Sequence, residues 1–187
     1  PPNLPAFTKG GPAIWTQTVN ATGKLGADDS KSPYVVDTIG LPHDNPWKSW
    51  IRVGGFDFFK DGRLAFSTWS GDVWVGSAPN EKLEKTTWRR YAAGLFQALG
   101  LRIVDDQVYV LGRDQITRLH DLNKDGEADA YENFNNDVQV TPGFHEFTFD
   151  LQTDPQGNFY FAKGGPVNPG GRGWGRLSDH NGCIFKV

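Results

Sequence analysis

At 187 residues with 37% hydrophobic side chains and a mean hydropathy of −0.51, the chain is long enough for one domain but too polar for a helical bundle. Its 23 Gly, 12 Pro and 7 Trp fit short strands punctuated by turns, with aromatic rings supplying buried area. A net charge of −3, with no basic run longer than Arg89-Arg90, argues against a nucleic-acid partner. No run of about eighteen apolar residues is present to span a membrane.

Residues 1 to about 33 are rich in Pro, Gly, Thr and Asn without a sustained apolar period. They predict an extended arm of little regular structure that must lie on something else. Pro1-Pro2-Asn3-Leu4-Pro5 lacks the charged and apolar regions of a signal peptide. Met is absent even at position 1, as expected of an excised piece or a mature exported protein, periplasmic or extracellular. Tyr34-Val35-Val36-Asp37-Thr38-Ile39, closed by Gly40 and Pro42, predicts a strand.

From there one grammar recurs: an apolar run, a tight Asp/Gly turn and a second apolar run. It occurs at Gly55–Phe66, at Gly100–Val110 and at Phe149–Phe161, each a hairpin signal. Aligning Leu64, Val108 and Phe159 gives spacings of 44 and 51 residues, within reach of a four-stranded propeller blade with its loops. A third strand follows each hairpin, at Gly71–Val75, Asp114–Leu119 and Gly182–Val187, and Thr87–Ala92 reads as a fourth in the first repeat.

The expected fold is therefore all-β, a partial β-propeller over 34–187 with blades near 50–95, 96–140 and 144–187. An ordinary meander or sandwich is the competing reading. A three-blade arc leaves apolar flanks open, so the remaining blades of a longer polypeptide, a second copy or another chain must complete it.

Asp121-Leu122-Asn123-Lys124-Asp125-Gly126-Glu127-Ala128-Asp129-Ala130-Tyr131-Glu132 satisfies a calcium-loop pattern at every specified position. Asp121, Asn123 and Asp125 supply side-chain oxygens in that pattern, Glu127 its carbonyl, Asp129 a direct or water-bridged oxygen and Glu132 both carboxylate oxygens. Such hard donors select Ca²⁺. The flanks read as a strand before the loop and an irregular segment, Asn133–Asp137, after it, so the expectation is a structural calcium loop between strands; an acidic surface turn is the alternative.

His43, His120, His145 and His180 show no zinc spacing. His145 precedes the third repeat, where a propeller's loops ring one mouth of its channel, and suits a general base; a hydrogen-bonded loop histidine is the plainer reading. His180 precedes a strand likewise and suits either a substrate contact or a turn residue. Gly164-Gly165-Pro166 and Gly170–Arg176 lack the helix and Lys-Ser/Thr of a phosphate loop and read as a long loop. Arg172, Trp174 and Arg176 there suit either a sugar face or ordinary surface. Cys183 stands alone and reads as a small hydrophobe in a strand.

The run from His145 through Asp154–Tyr160 to His180–Val187 resembles the soluble glucose/sorbosone dehydrogenase superfamily, six-bladed propellers that use pyrroloquinoline quinone (PQQ) and calcium. Residues from about Tyr34 to Val187 more closely resemble propeller domains of large exported planctomycete-type proteins, often sorbosone-dehydrogenase-like or fused to cytochrome c. Arg52–Phe59, Trp69–Trp74, Arg113–Phe134 and Phe144–Phe147 carry that likeness. The first resemblance implies that His145 is the base taking a proton from a sugar hydroxyl. Two expectations follow: a quinone-dependent sugar or aldehyde dehydrogenase when the ring is complete, or a non-catalytic, calcium-stabilised propeller segment. The second would bind a glycan or a protein, such as a cytochrome c in an electron-transfer assembly.

Overall fold

The computed structural model describes residues 4–28, 33–143, 145–165, 167–168, 171–172 and 178–187. It is all-β, with no α-helix among the described residues. The arm forms a 3-10 turn (Leu4–Thr8) and strand β1 (Thr18–Ala21). Three antiparallel meanders follow. The first comprises β2 (Val53–Phe58), β3 (Leu64–Thr68), β4 (Val73–Gly76) and β5 (Thr86–Ala92). The second comprises β6 (Gly100–Val104), β7 (Gln107–Leu111), β8 (Ile116–His120) and β9 (Ala130–Asn135). In the third, β10 (Thr148–Thr153) and β11 (Phe159–Lys163) are joined by β14 (Cys183–Lys186), with the small hairpin of β12 (Val167–Asn168) and β13 (Gly171–Arg172) between them in sequence.

The three predicted hairpins are the first two strands of the three sheets, and turn chemistry explains their tightness. Asp105 and Asp106 both sit at positive φ (50° and 59°), as a two-residue hairpin demands and as Asp tolerates better than branched residues. Gly62 (φ 84°) and Gly157 (φ 87°) serve the other two turns.

Two expectations about the chain's first third are corrected. The arm holds regular structure, because β5 offers an unpaired edge that β1 takes in register, Val19 opposite Trp88, making a five-stranded sheet. Conversely, Tyr34–Ile39 is not a strand. Only Thr38 bridges, to Lys24, while Tyr34, Val35 and Val36 are exposed; β-branched residues need a partner strand and these have none. A third correction falls after the acidic loop, where Asn133–Asn135 continues β9 because β8 pairs with it from Ile116 to His120.

Three apolar clusters hold the layers together. One lies between the first two sheets, with Phe59, Ala65, Val73, Leu101, Val108 and Leu119. A second joins the second and third sheets through Leu111, Ile116, Leu151, Phe159 and Phe161. The last packs Phe66, Trp74 and Trp88 beneath Val19, Ile39, Leu41 and Trp47, so the first sheet's outer face is covered by the chain's own leading segment. The far side of the third sheet keeps Ile184 79% exposed.

Glycine sets the spacing where the sheets meet. β2 lies against β6, and β6 against β10. A Cβ on Gly55 would come within 2.5 Å of Leu101 N, and one on Gly100 within 2.9 Å of the Asp150 carbonyl, so both backbones approach at distances only Gly permits. Polar links run across the same seams. Ser67 Oγ donates to the Ala98 carbonyl and Thr148 Oγ1 to that of Gly112 (2.7 Å), and Ile103 N–H donates to Asp57.

Candidate functional site

Successive connections of an antiparallel meander alternate ends, which divides the site residues into two groups. The loop after β8 shares one end with the β2–β3 and β6–β7 turns. The segments before β10 and after β11 share the other.

At the first end the acidic loop closes on itself. Asp121 accepts from the N–H groups of Asp125 and Gly126, Asn123 Oδ1 also accepts from Asp125 N–H, and Asp125 Oδ1 from Glu127 N–H. These local side-chain-to-backbone bonds, with Lys124 and Gly126 at positive φ, shape the turn that the sequence pattern demands. The second half of the loop faces elsewhere. Glu127 Oε2 accepts from Ile14 and Trp15 N–H (2.8 Å each), and Asp129 accepts from Gly11 and Leu122 N–H. Glu132, placed on β9, turns to His120 Nε2 at 2.6 Å and to Arg118. Asp121, Asn123 and Asp125 are thus gathered at one turn. Glu127 and Asp129 clasp the arm, and Glu132 is directed to β8. Among the described residues no group of three or more His, Cys, Asp or Glu side chains is placed to hold a metal.

At the second end, His145 is exposed on a turn directly before β10. Next to it in the chain begins a buried charged group that lies outside the calcium-loop and glycine-rich motifs. Glu146 is 1% and Lys163 3% exposed, and Arg113 8%. Glu146 Oε2 accepts a short hydrogen bond from Thr141 and lies 3.9 Å from Lys163 Nζ, while its Oε1 is buried without a partner among the described residues. Lys163 donates to the Gln139 carbonyl, and Arg113 to the carbonyls of Thr141 and Gly143 and to Gln97. Burial pushes the Lys163 ammonium below its ordinary range, partly offset by the Glu146 carboxylate. Clusters of this kind mark functional sites and structural networks alike.

His180 reaches the same end. Its ring meets Phe185 edge-on at 5.2 Å, its Nδ1 is buried and without a partner among the described residues, and neighbouring Asp179 N–H donates to Gln139. Gly164 passes against the His145 carbonyl, so both histidine loops flank the end of β11. Trp174 and Arg176 lie outside the described residues, and of Arg172 only its place in β13 is described. Cys183 is a free, half-buried residue of β14.

A quinone carrying several carboxylates needs open cations. Those beside His145, Arg113 and Lys163, are buried and donate to backbone carbonyls, so the described residues do not fit PQQ there. Comparison of the chain with family models, with curated proteins and with solved structures finds no match in any of the three.

One signal for the buried group was present in the sequence. Glu146 sits between aromatic residues in Phe144-His145-Glu146-Phe147, and Lys163 follows Phe159-Tyr160-Phe161-Ala162. A charge embedded in an apolar run is a candidate for a buried pair.

Proposed function

We propose that this chain is an arc of a β-propeller and serves as a non-catalytic, calcium-stabilised binding scaffold within an exported assembly. The observation that carries the reading is the side-by-side packing of β2, β6 and β10, the first strand of each sheet, at glycine-limited distance. Radial repetition around an axis produces that arrangement. The covered outer face of the first sheet and the open flank of the third make the two ends of the arc unlike. In this reading the third sheet's flank, with Ile184 and Phe149, receives further blades, a second copy or another chain; a glycan or protein partner binds the assembled ring. Native mass measurement tests it: a ring of copies or a stable complex is expected, and a strictly monomeric chain with an open, ligand-free third sheet overturns it.

Calcium belongs to the same reading. Asp121, Asn123 and Asp125 are the side chains that would hold the ion, and its charge would offset their mutual repulsion. Millimolar Ca²⁺ is expected to raise the melting midpoint and a chelator to lower it; an unchanged midpoint overturns the assignment.

A second reading, oxidation of a sugar or aldehyde by the completed ring with its quinone held away from the buried Arg113–Glu146–Lys163 group, has one observation in its favour: His145 is exposed on a turn at the end of the sheets. Dye reduction with sugars, added PQQ and Ca²⁺ tests it, comparing His145→Ala in the intact parent protein. Equal rates in both remove His145 from the reaction.

A further inference from the structure

Between the first two sheets, at the end that carries the acidic loop, lies a cleft of about 550 Å³. Its volume falls within the range of small-molecule sites. Strand alternation builds one wall. On β5, Trp88 turns into the aromatic cluster with Phe66 and Trp74, whereas Thr87, Arg89 and Tyr91 take the opposite face and line the cleft. Phe59 and Arg63 from the β2–β3 turn, Gln107 from β7, and Asp121 and Lys124 from the acidic loop complete the rest of the lining that matters.

Arg89 is the anomaly. Among the described residues, five arginines carry a buried Nε without a hydrogen-bond partner. Four of them satisfy their terminal nitrogens or charge elsewhere: Arg90 on Asp72, Arg102 on Asp57, Arg118 on Glu132, and Arg113 on Gln97 and two carbonyls. Arg89 has neither an ion pair nor a hydrogen bond among the described residues, and its Nη1 lies against the backbone of Gly126, 2.9 Å from where a Cβ would stand. Leaving a guanidinium half-buried and unpaired is unfavourable unless something else supplies the acceptor.

The surroundings say what that acceptor is. Lys124 adds a second cation without an ion pair among the described residues, and Arg63, over the Phe59 ring at 4.5 Å, a third that Asp61 holds. The two carboxylates in the lining are already engaged: Asp121 by the N–H groups of Asp125 and Gly126, Asp106 by that of Lys60. The Tyr91 hydroxyl and the Gln107 amide have no partner among the described residues, so they offer further donors beside an aromatic wall.

We propose that this cleft binds a small organic oxyanion, a carboxylate or phosphate monoester carried on a hydroxylated ring. Arg89 receives the oxyanion through its two-pronged guanidinium, Lys124 adds charge, and the Phe59 and Tyr91 rings flank the ring of the ligand. The site is complete within this chain and depends neither on ring closure nor on calcium.

Isothermal titration of the full chain in calcium-free buffer tests it with three probes: glucuronate, glucose 6-phosphate and neutral glucose. At least one anion is expected to bind about tenfold more tightly than glucose, a difference of about 1.4 kcal/mol. Which anion binds more tightly identifies the carboxylate or the phosphate as the natural group. Arg89→Gln is expected to abolish the preference while keeping the parent's melting midpoint, since Arg89 holds no other group. Should Arg89→Gln fail to fold, Arg89→Lys, which keeps charge but loses the fork, is expected to weaken the preferred anion several-fold. Equal binding of glucose and both anions, unchanged affinity in the folded variant, or no binding by 10 mM overturns the proposal.

Discussion

The two ends of the sheets hold their charges in opposite ways. Around the turn at 121–129, carboxylates accept from backbone N–H groups that come to them; Glu127, the most buried, takes two. Under His145 the charges are sealed in. Arg113 and Lys163 donate to backbone carbonyls, and one Glu146 oxygen is left over. Comparing them shows that acidic richness and energetic consequence are different things. The loop conspicuous in the sequence can lose single carboxylates at modest cost, whereas the inconspicuous Glu146–Lys163 pair cannot lose either member cheaply.

The largest expected effect sharpens that contrast. Lys163→Ala or Glu146→Ala strands the other charge in the interior and is expected to cost about 3–5 kcal/mol. The double variant Glu146→Gln/Lys163→Met is expected to recover much of that loss. Denaturant titration reads both, and a Lys163→Ala chain as stable as the parent would show that the pair is solvated. Next is Glu127→Ala, which removes the acceptor for two arm N–H groups and is expected to cost about 1–3 kcal/mol. Hydrogen exchange at Ile14 and Trp15 should rise sharply, and unchanged protection there would mean that Trp15 on Arg90 holds the arm instead. Glu132→Gln is smaller: the Glu132 side chain is about half exposed and its partners His120 and Arg118 are partly exposed, so about 0.5 kcal/mol is expected, and calcium-dependent melting should persist. A loss of the calcium response in that variant would return Glu132 to the ligand set.

The smallest effect is a pH dependence. Hydrogen bonds from the Asn158 side chain, foremost, and from Tyr160 hold the Asp154 carboxyl down to about 2, below its ordinary 3.8. A depressed acid favours folding above its ordinary value, and that contribution is lost as pH falls from about 4 through about 2. Asp154→Asn should flatten the slope of stability in that window; an equal slope in both chains would assign it to other carboxylates.

Much of the fold was legible because it is local. The Asp-Gly, Asp-Asp and Pro-Gln-Gly turns, each between apolar runs, specify hairpins through residues adjacent in sequence, and all three formed. Thr86–Ala92 is a strand for the same reason. The errors fell where a distant partner decides. Tyr34–Ile39 has strand composition but bridges to Lys24 through Thr38 without a partner strand, while Thr18–Ala21 has weak composition and the free edge of β5. Asn133–Asn135 looked irregular until β8 supplied a register.

The site divides along the same line. By itself the sequence determined the turn at 121–126, because Asp121, Asn123 Oδ1 and Asp125 Oδ1 accept from N–H groups within one loop, although Asn123 Nδ2 also reaches the Gly11 carbonyl of the arm. Only the tertiary structure decided where Glu127, Asp129 and Glu132 turn, since their partners are the arm and β8, up to 118 residues away. It also decided that Glu146 and Lys163 meet and that Arg89 faces a cleft whose two carboxylates, Asp106 and Asp121, are engaged by backbone N–H groups. Pairing, burial and the absence of a partner are properties of what folds alongside a residue, and no local pattern encodes them.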